Sequence, residues 1–139
     1  MIRFLLTIGL CLAVTSCRDS SNAVSAKGVR LVSFEDLRGQ TPKAQLKEGM
    51  QSLAEGVSAA YDELRKTYPQ LKGHLRGRLM TKPDGTVLNF ADIHSLFTPV
   101  LPPAASSEFI RASFGSNPRF PAAGNGLHLT FDFQLEPNG

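Results

Sequence analysis

The chain has 139 residues, a length that accommodates one domain with appended segments. Fifteen Lys and Arg against twelve Asp and Glu give a formal net charge of +3, which is too small to indicate nucleic acid as a partner. The acidic and basic residues are interspersed, as on an ordinary solvated surface. Tryptophan is absent, so the nine phenylalanines supply the bulkiest apolar side chains of any core.

The first residues have the features of a bacterial signal peptide. Arg3 provides a minimal positive segment, and Phe4–Val14 is an apolar run whose length suits the hydrophobic part of a leader. The run is too short to span a bilayer comfortably. Val14–Cys17 (Val-Thr-Ser-Cys) resembles a lipobox, in which the chain is cut before the cysteine and the thiol is acylated.

The lipobox resemblance implies that Cys17 carries fatty acids such as palmitate, which anchor the mature chain to a membrane. Arg18 follows the cysteine, and under the sorting rule of enteric bacteria this implies the outer membrane, facing the periplasm. Cys11 would leave with the leader, so the mature chain would have no disulfide and no cysteine-based metal site. The alternative is an ordinary secretory leader that happens to contain Cys17.

The sequence thus predicts three parts. Residues 1–16 form the lipoprotein signal peptide, residues 17–40 form a lipidated tether with an extended arm, and residues 41–139 form the folded domain. Arg18–Gly28 is small and polar, as expected of a tether. Val29–Phe34 is a short strand or an extended arm, because neither of its faces is cleanly polar.

A long helix is predicted to begin at Thr41 and Pro42, since Thr can cap free amides and Pro is tolerated at the first helical position. Apolar side chains then recur at spacings of three and four, which predicts one buried stripe. The stripe consists of Leu46, Met50, Leu53, Val57, Ala60, Tyr61 and Leu64. Pro69 ends the helix. The stripe is expected to pack on a sheet, with a partner-binding helix as the alternative.

The next segments predict a hairpin. Gly73–Met80 alternates like a half-buried strand, and Lys82–Thr86 contains the Pro-Asp-Gly chemistry of a tight turn. Val87–Leu96 is the returning strand. Its apolar residues can share one face only if a bulge lies near Leu88 or Asn89.

The last third of the chain completes the sheet and its helical layer. Ser95–Ala105 contains three prolines and predicts a connection. Ser106 or Ser107 is expected to cap a short helix over Glu108–Phe114. Leu127–Leu135 alternates most regularly and predicts a strand with one face in the core.

Several of these segments together resemble a known family. Tyr68–Gly73 (Tyr-Pro-Gln-Leu-Lys-Gly) and Pro83–Val87 (Pro-Asp-Gly-Thr-Val) resemble the start of a TonB-type C-terminal domain. With Ala60–Leu64 before them, they also resemble the AgmX/PglI C-terminal domain. The chain departs from that family where it often has cysteine, at Ala60 and near Ile110, so both family cysteines are missing together.

The resemblance implies a two-layer α+β sandwich, in which two helices cover a three-stranded antiparallel sheet. It also implies a protein-interaction domain, in an accessory component of a trans-envelope or motility-type complex. In TonB-type domains the last strand can accept an extended peptide by strand addition, so the partner would be another envelope protein. The implied partner-binding residues are Tyr68, Pro69, Leu127, His128, Leu129, Thr130, Phe131 and Asp132.

Two alternatives remain open. In one, the protein is a small lipid-anchored enzyme or metal binder that uses His74, His94 and His128, with Asp92 and Asp132 nearby. In the other it is a purely structural envelope lipoprotein. The sequence contains no nucleophile elbow, zincin motif or phosphate-binding loop, so we predict no catalytic residue, no metal site and no cofactor.

Overall fold

The computed structural model describes residues 23–39, 41–115 and 117–137. The predicted lipidation site, Cys17, lies outside the described residues. Within them the elements, in chain order, are β1 (Ser25–Ala26), β2 (Val29–Asp36), α1 (Lys43–Arg65), β3 (Lys72–Thr81), β4 (Val87–Thr98), α2 (Pro103–Ser113) and β5 (His128–Leu135). Neither described helix combines the length and apolar character needed to cross a membrane.

The five strands form one antiparallel sheet in the order β1-β2-β5-β3-β4. The predicted α+β class is therefore confirmed, but the sheet has five strands where three were expected. The difference arises at Ser25–Asp36, a segment assigned to the tether and arm. It forms β1 and β2 and belongs to the same sheet as the rest of the domain.

β5 is a central strand, so the prediction that the last strand offers a free edge is wrong. On one side it pairs with β2, from Val29 opposite Leu135 to Asp36 opposite Leu129. On the other side it pairs with β3, from Gly73 opposite Leu135 to Met80 opposite His128. The physical reason is that β2 occupies the side of β5 that was expected to be open.

The predicted faces of β5 are confirmed. Leu129, Phe131, Phe133 and Leu135 are at most 3% exposed, while the residues between them are half-buried on the opposite face. This opposite face of the sheet is not covered by the helices. We call it the open face.

α1 buries the predicted stripe against the sheet. Leu46, Met50, Leu53 and Val57 are fully buried, and Leu64, at the end of the stripe, is half-buried. The start differs from the prediction, because the helix begins one residue later and its cap makes no side-chain hydrogen bond. The expected capping residue, Thr41, instead donates its own N–H to the Asp36 carboxylate at 3.0 Å.

α2 starts earlier than predicted. It runs from Pro103 to Ser113, so three residues placed in the connection form its first turn, and Pro103 occupies the first helical position that Pro tolerates. Neither expected serine caps it. The Ser106 hydroxyl instead lies 2.9 Å from the hydroxyl of Ser95 on β4.

An aromatic cluster joins α2 to the sheet. Phe109 of α2 meets Phe97 of β4 edge to face, with ring centroids 5.2 Å apart. Just beyond α2, Phe114 stacks on Phe90 at 4.2 Å and contacts Phe131 of β5 at 6.0 Å. Such ring pairs add about 0.5–1.5 kcal/mol each beyond the burial of their area, so they help to fix β4 against the helical layer.

β4 contains two irregularities, and the first confirms the predicted bulge. Met80 pairs with Asn89 and Thr81 with Val87, which leaves Leu88 as an extra residue. The second was not predicted and lies around Asp92, a non-glycine residue with φ of 51°. Together the two bulges bring Val87, Phe90, Ile93 and Phe97 to the helix-covered face, whereas Leu88 and Leu96 stay exposed.

The hairpin turn is held by its own side chains. The carboxylate of Asp84 accepts the Thr86 N–H at 2.9 Å and the Thr86 hydroxyl at 2.7 Å. These two hydrogen bonds hold the pKa of Asp84 below its usual value, because they stabilise the charged form.

Candidate functional site at the edge of the sheet

Most of the residues predicted to bind a partner belong to the sheet interior. The Leu127 N–H donates to the Thr81 hydroxyl at 2.7 Å, and Leu129 and Phe131 are in the core. Thr130 lies between Glu35 and Arg78 on the two neighbouring strands. The main-chain groups of this segment already serve β2 and β3, so they are not available to an incoming peptide.

The other two predicted residues lie at the far end of the sheet. Tyr68 and Pro69 come just before β3, whose first residue pairs with the end of β4. Leu127 lies beside the last residue of β3. Because β3 spans ten residues at roughly 3.3 Å each, the two groups are about 30 Å apart. Tyr68 is half-buried and lines a groove between the helices, whereas Pro69 is exposed.

On the open face, two of the residues predicted for a metal or acid–base site, His74 and Asp132, lie in contact. His74 Nδ1 lies 3.1 Å from one carboxylate oxygen of Asp132, and Arg76 Nε donates to the other oxygen, also at 3.1 Å. Both oxygens of Asp132 are thus engaged by cross-strand neighbours. The arrangement is a surface network that ties β3 to β5.

The remaining histidines do not join this network into a metal site. His94 lies opposite Arg76 on β4, and His128 lies at the other end of β5, opposite Met80. Asp92 makes an ion pair with Arg78. In residues 23–39, 41–115 and 117–137, no three His, Cys, Asp or Glu side chains are grouped so that they could hold a metal ion.

The outer side of β4 is the long free edge of the sheet. The chain just before β4 is covered, because Thr86 forms a bridge with Arg119 and the Phe120 N–H donates to the Gly85 oxygen at 3.0 Å. Beyond that bridge, β4 is the last strand of the sheet, and nothing in the described part of the chain pairs with its outer side from Leu88 onward.

The second half of this edge is regular from His94 onward, and half of its residues are apolar. From His94 to Thr98 each residue pairs with β3 in unbroken register. Ile93–Thr98 (Ile-His-Ser-Leu-Phe-Thr) contains no Asp, Glu, Lys, Arg, Gly or Pro. Edge strands are usually protected by charge, proline or short length, and none of these applies within this segment. We call Ile93–Thr98 the β4 docking edge.

Apolar side chains flank the β4 docking edge on both faces. Leu96 is 61% exposed on the open face, and Val100 just beyond the strand is 89% exposed. Ile93 and Phe97 face the helices but are only half-buried. A strand added beside Ile93–Thr98 would cover the exposed flanks of Ile93, Leu96 and Phe97.

The edge is held in position by its neighbours. The Ser95–Ser106 hydroxyl contact and the Phe97–Phe109 ring contact fix it to α2. On β3, a Cβ atom at Gly73 would lie 1.9 Å from the Leu96 carbonyl oxygen, so only glycine permits this close approach. A rigid edge binds with a smaller loss of conformational entropy than a mobile one.

The comparisons with known proteins identify no relative. No protein-family model matches the chain, and no curated protein or solved structure is significantly similar to it.

The sequence gives only a weak signal for the β4 docking edge. The three prolines of Ser95–Ala105 predict a connection, but they start only at Pro99, and β4 continues to Thr98. The sequence from Ile93 to Thr98 does not alternate between apolar and polar residues, so periodicity alone could not show that the strand continues; the alternation is visible only in the burial of the side chains.

Proposed function

We propose that this protein is an envelope lipoprotein whose domain captures an extended segment of another envelope protein along the β4 docking edge. The captured segment pairs its main chain with Ile93–Thr98 and extends the sheet by one strand. The leader and Cys17 support a location on the periplasmic side of the outer membrane. The resemblance to AgmX/PglI and TonB-type domains supports a role as an accessory component of a trans-envelope or motility-type complex.

One observation carries the proposal: the free edge of β4 ends in six residues that include no Asp, Glu, Lys, Arg, Gly or Pro. Such an edge exposes unpaired N–H and C=O groups beside apolar side chains, which is the surface that strand addition requires. Affinity would come from the main chain. Selection would come from alternate side chains of the partner against Leu96 on one face and Ile93 and Phe97 on the other.

In-cell crosslinking tests the proposal most directly. A photoreactive phenylalanine replaces Leu96 at the edge or, as a control, Glu55 on the exposed side of α1. We expect a discrete crosslinked envelope protein from position 96 and none from position 55. Equal crosslinking from both positions would contradict a specific edge.

A second variant pair separates docking from folding. Leu96→Lys places a positive charge on the docking edge, and Leu37→Lys makes the same exchange at a position that is 47% exposed and lies away from β4. Both variants should fold, because neither side chain is in the core. We expect Leu96→Lys to abolish the crosslink from a probe at Thr98, with Leu37→Lys leaving it intact. If the two variants crosslink equally, capture at β4 is refuted.

A further inference from the structure

The first strand fixes the point at which the chain enters the fold. Val24 is 3% exposed, and its carbonyl oxygen accepts the Leu31 N–H at 3.0 Å. Ser25 begins β1, and its carbonyl oxygen accepts a hydrogen bond from the Gln51 side chain of α1 at 2.8 Å. The chain therefore belongs to the folded sheet from Val24 onward, and it enters at the β1 margin.

The proposed lipid anchor is close to this entry point along the chain. Only six residues, Arg18–Ala23, separate Cys17 from Val24. Because an extended chain spans at most about 3.6 Å per residue, Cys17 and Val24 lie within about 25 Å of each other, whatever conformation the intervening residues take. A tether of residues 17–40, as predicted, would have allowed roughly 80 Å. The early start of the sheet thus keeps the domain next to any membrane that holds Cys17.

The entry point and the β4 docking edge lie on opposite margins of the sheet. The order β1-β2-β5-β3-β4 places four strand spacings between β1 and β4, which is about 19 Å at roughly 4.8 Å each. If β4 faced the membrane, the six residues Arg18–Ala23 would have to span most of their maximal length. Full extension of a chain costs conformational entropy, and the opposite orientation avoids this cost because it places β1 next to the membrane.

The surface beside the entry point carries an exposed apolar side chain. We call Val24–Val32 the entry edge. Val32 stands at the register shift between β2 and β5 and is 47% exposed. It lines the same groove as Val24, so it lies beside the point where the chain enters the fold. Bulges re-aim side chains, and here the shift directs an apolar one outward at the margin of the sheet.

Two exposed cations flank the entry edge, with Arg30 on the open face and Lys43 on the helix-covered side. Arg30 donates to the side-chain oxygen of Gln134, and the Lys43 ammonium lies 5.3 Å from the centroid of the Phe34 ring. Both of these partners are uncharged. The exposed acidic residue of β2, Glu35, lies beyond the entry edge. A lysine or arginine close to an anionic bilayer is attracted to the lipid phosphates.

We propose that the entry edge rests on the surface of the membrane that holds Cys17, and that the β4 docking edge is thereby turned away from this membrane. The inference rests on the lipid anchor of the proposed function. Arg30 and Lys43 contact lipid phosphates, and Val32 lies at the level of the headgroups. A partner segment consequently reaches β4 from the aqueous side.

Fluorescence quenching on vesicles tests the orientation. Cys17 is the only cysteine of residues 17–139, so its thiol can be coupled to a maleimide lipid in vesicles of phosphatidylcholine and phosphatidylglycerol whose headgroups carry a nitroxide quencher. A fluorescent coumarin amino acid replaces Val32 or Leu96, both of which are exposed. We expect at least about twofold stronger quenching at position 32, because β2 and β4 are three strand spacings, or about 14 Å, apart.

Two double variants with the same change in net charge test the lipid contact. Arg30→Gln with Lys43→Gln removes the two cations beside the entry edge, whereas Lys72→Gln with Lys82→Gln removes two exposed lysines elsewhere. We expect the first pair, like high salt, to lower the ratio of quenching at position 32 to that at position 96, and the second pair to leave it unchanged. Insertion of about twenty Gly and Ser residues after Arg18 should also lower this ratio.

Equal quenching at the two positions, or stronger quenching at position 96, would overturn the inference. Equal effects of the two double variants would refute the contact of Arg30 and Lys43 with lipid, and an unchanged ratio after the insertion would refute the role of the short tether. Because the lipid is attached chemically, these results do not depend on acylation of Cys17 in cells. A mature chain that is not acylated in cells would instead contradict the lipoprotein assignment, and in-cell crosslinking tests capture at β4 separately.

Discussion

Replacing Gly49 by alanine tests how closely α1 approaches the segment that precedes β5. By helix propensity alone the change should stabilise the domain, because glycine inside a helix is about 1 kcal/mol less favourable than alanine. The surroundings predict the opposite. A Cβ atom at this position would lie 2.4 and 2.5 Å from two ring carbons of Phe120 and 2.8 Å from the Arg119 carbonyl oxygen.

All three distances are below ordinary contact, and the Phe120 ring has little freedom to move. Phe120 is only 6% exposed, and its backbone N–H is bonded to the Gly85 oxygen at 3.0 Å. Overpacking of a well-packed site costs typically about 1–3 kcal/mol. The contact with a backbone oxygen places Gly49→Ala in the upper part of that range. After subtraction of the propensity gain, we expect a net loss of about 1–2 kcal/mol.

Urea unfolding of the mature chain, followed by far-UV circular dichroism, measures this loss as a lower midpoint at unchanged slope. Ala59→Gly is the matched control, because Ala59 is exposed on the same helix and reports propensity without a clash. It should lose about 1 kcal/mol. In a Phe120→Leu background the penalty of Gly49→Ala should shrink. A Gly49→Ala protein about 1 kcal/mol more stable than the parent would refute the close contact.

Three further predictions follow from single positions. Ser113 is fully buried, and its hydroxyl has no hydrogen-bond partner among the described residues, so Ser113→Ala should raise the free energy of unfolding by about 1 kcal/mol or more in the same urea assay; a destabilised variant would contradict this. Leu53→Ala should cost about 2–5 kcal/mol, because Leu53 is fully buried beneath α1, and a loss below about 1 kcal/mol would contradict its place in the core. The folded-state pKa of Asp84 is lowered, so its contribution to stability is present above the unfolded pKa of about 3.9 and is lost as pH falls through the folded pKa. Asp84→Ala should therefore flatten the pH dependence of the urea midpoint below about pH 4, and an unchanged profile would refute the role of the Thr86 hydrogen bonds.

The periodicity of apolar residues correctly predicted those features of the fold that depend on a single helix or strand. The stripe of α1 was predicted because residues such as Leu53 and Val57 recur with the helical period, and one helix face is buried as a unit. The alternation of β5 was equally informative about which side chains enter the core. Such periodic patterns indicate which face of a helix or strand is buried, and this can be predicted from the sequence of that one segment.

The same periodicity did not predict which strands are neighbours in the sheet, because that depends on pairing between segments that are distant in the sequence. The register shift between Leu31 and Ser33 interrupts the alternation of β2, so the strand resembled an extended arm. Without β2, the last strand had no second neighbour and seemed to have a free side. The start of α2 differs from the prediction for a local reason, since prolines usually indicate a connection, whereas Pro103 stands at the first helical position, where proline is tolerated.

The order of the strands determines where main-chain hydrogen bonding remains available, and this decides which docking surface is physically possible. With β5 central, a proline at Thr130 would break ladders to both neighbours and would report on folding. Within the residues that the structure describes, unpaired main-chain groups remain along the outer side of β4, including Ile93–Thr98. A captured strand would use the same main-chain geometry whatever its sequence, so selection among partners has to come from the side chains that flank the edge. Leu96 on the open face and Ile93 and Phe97 on the helix side therefore favour a partner segment with apolar residues at alternate positions.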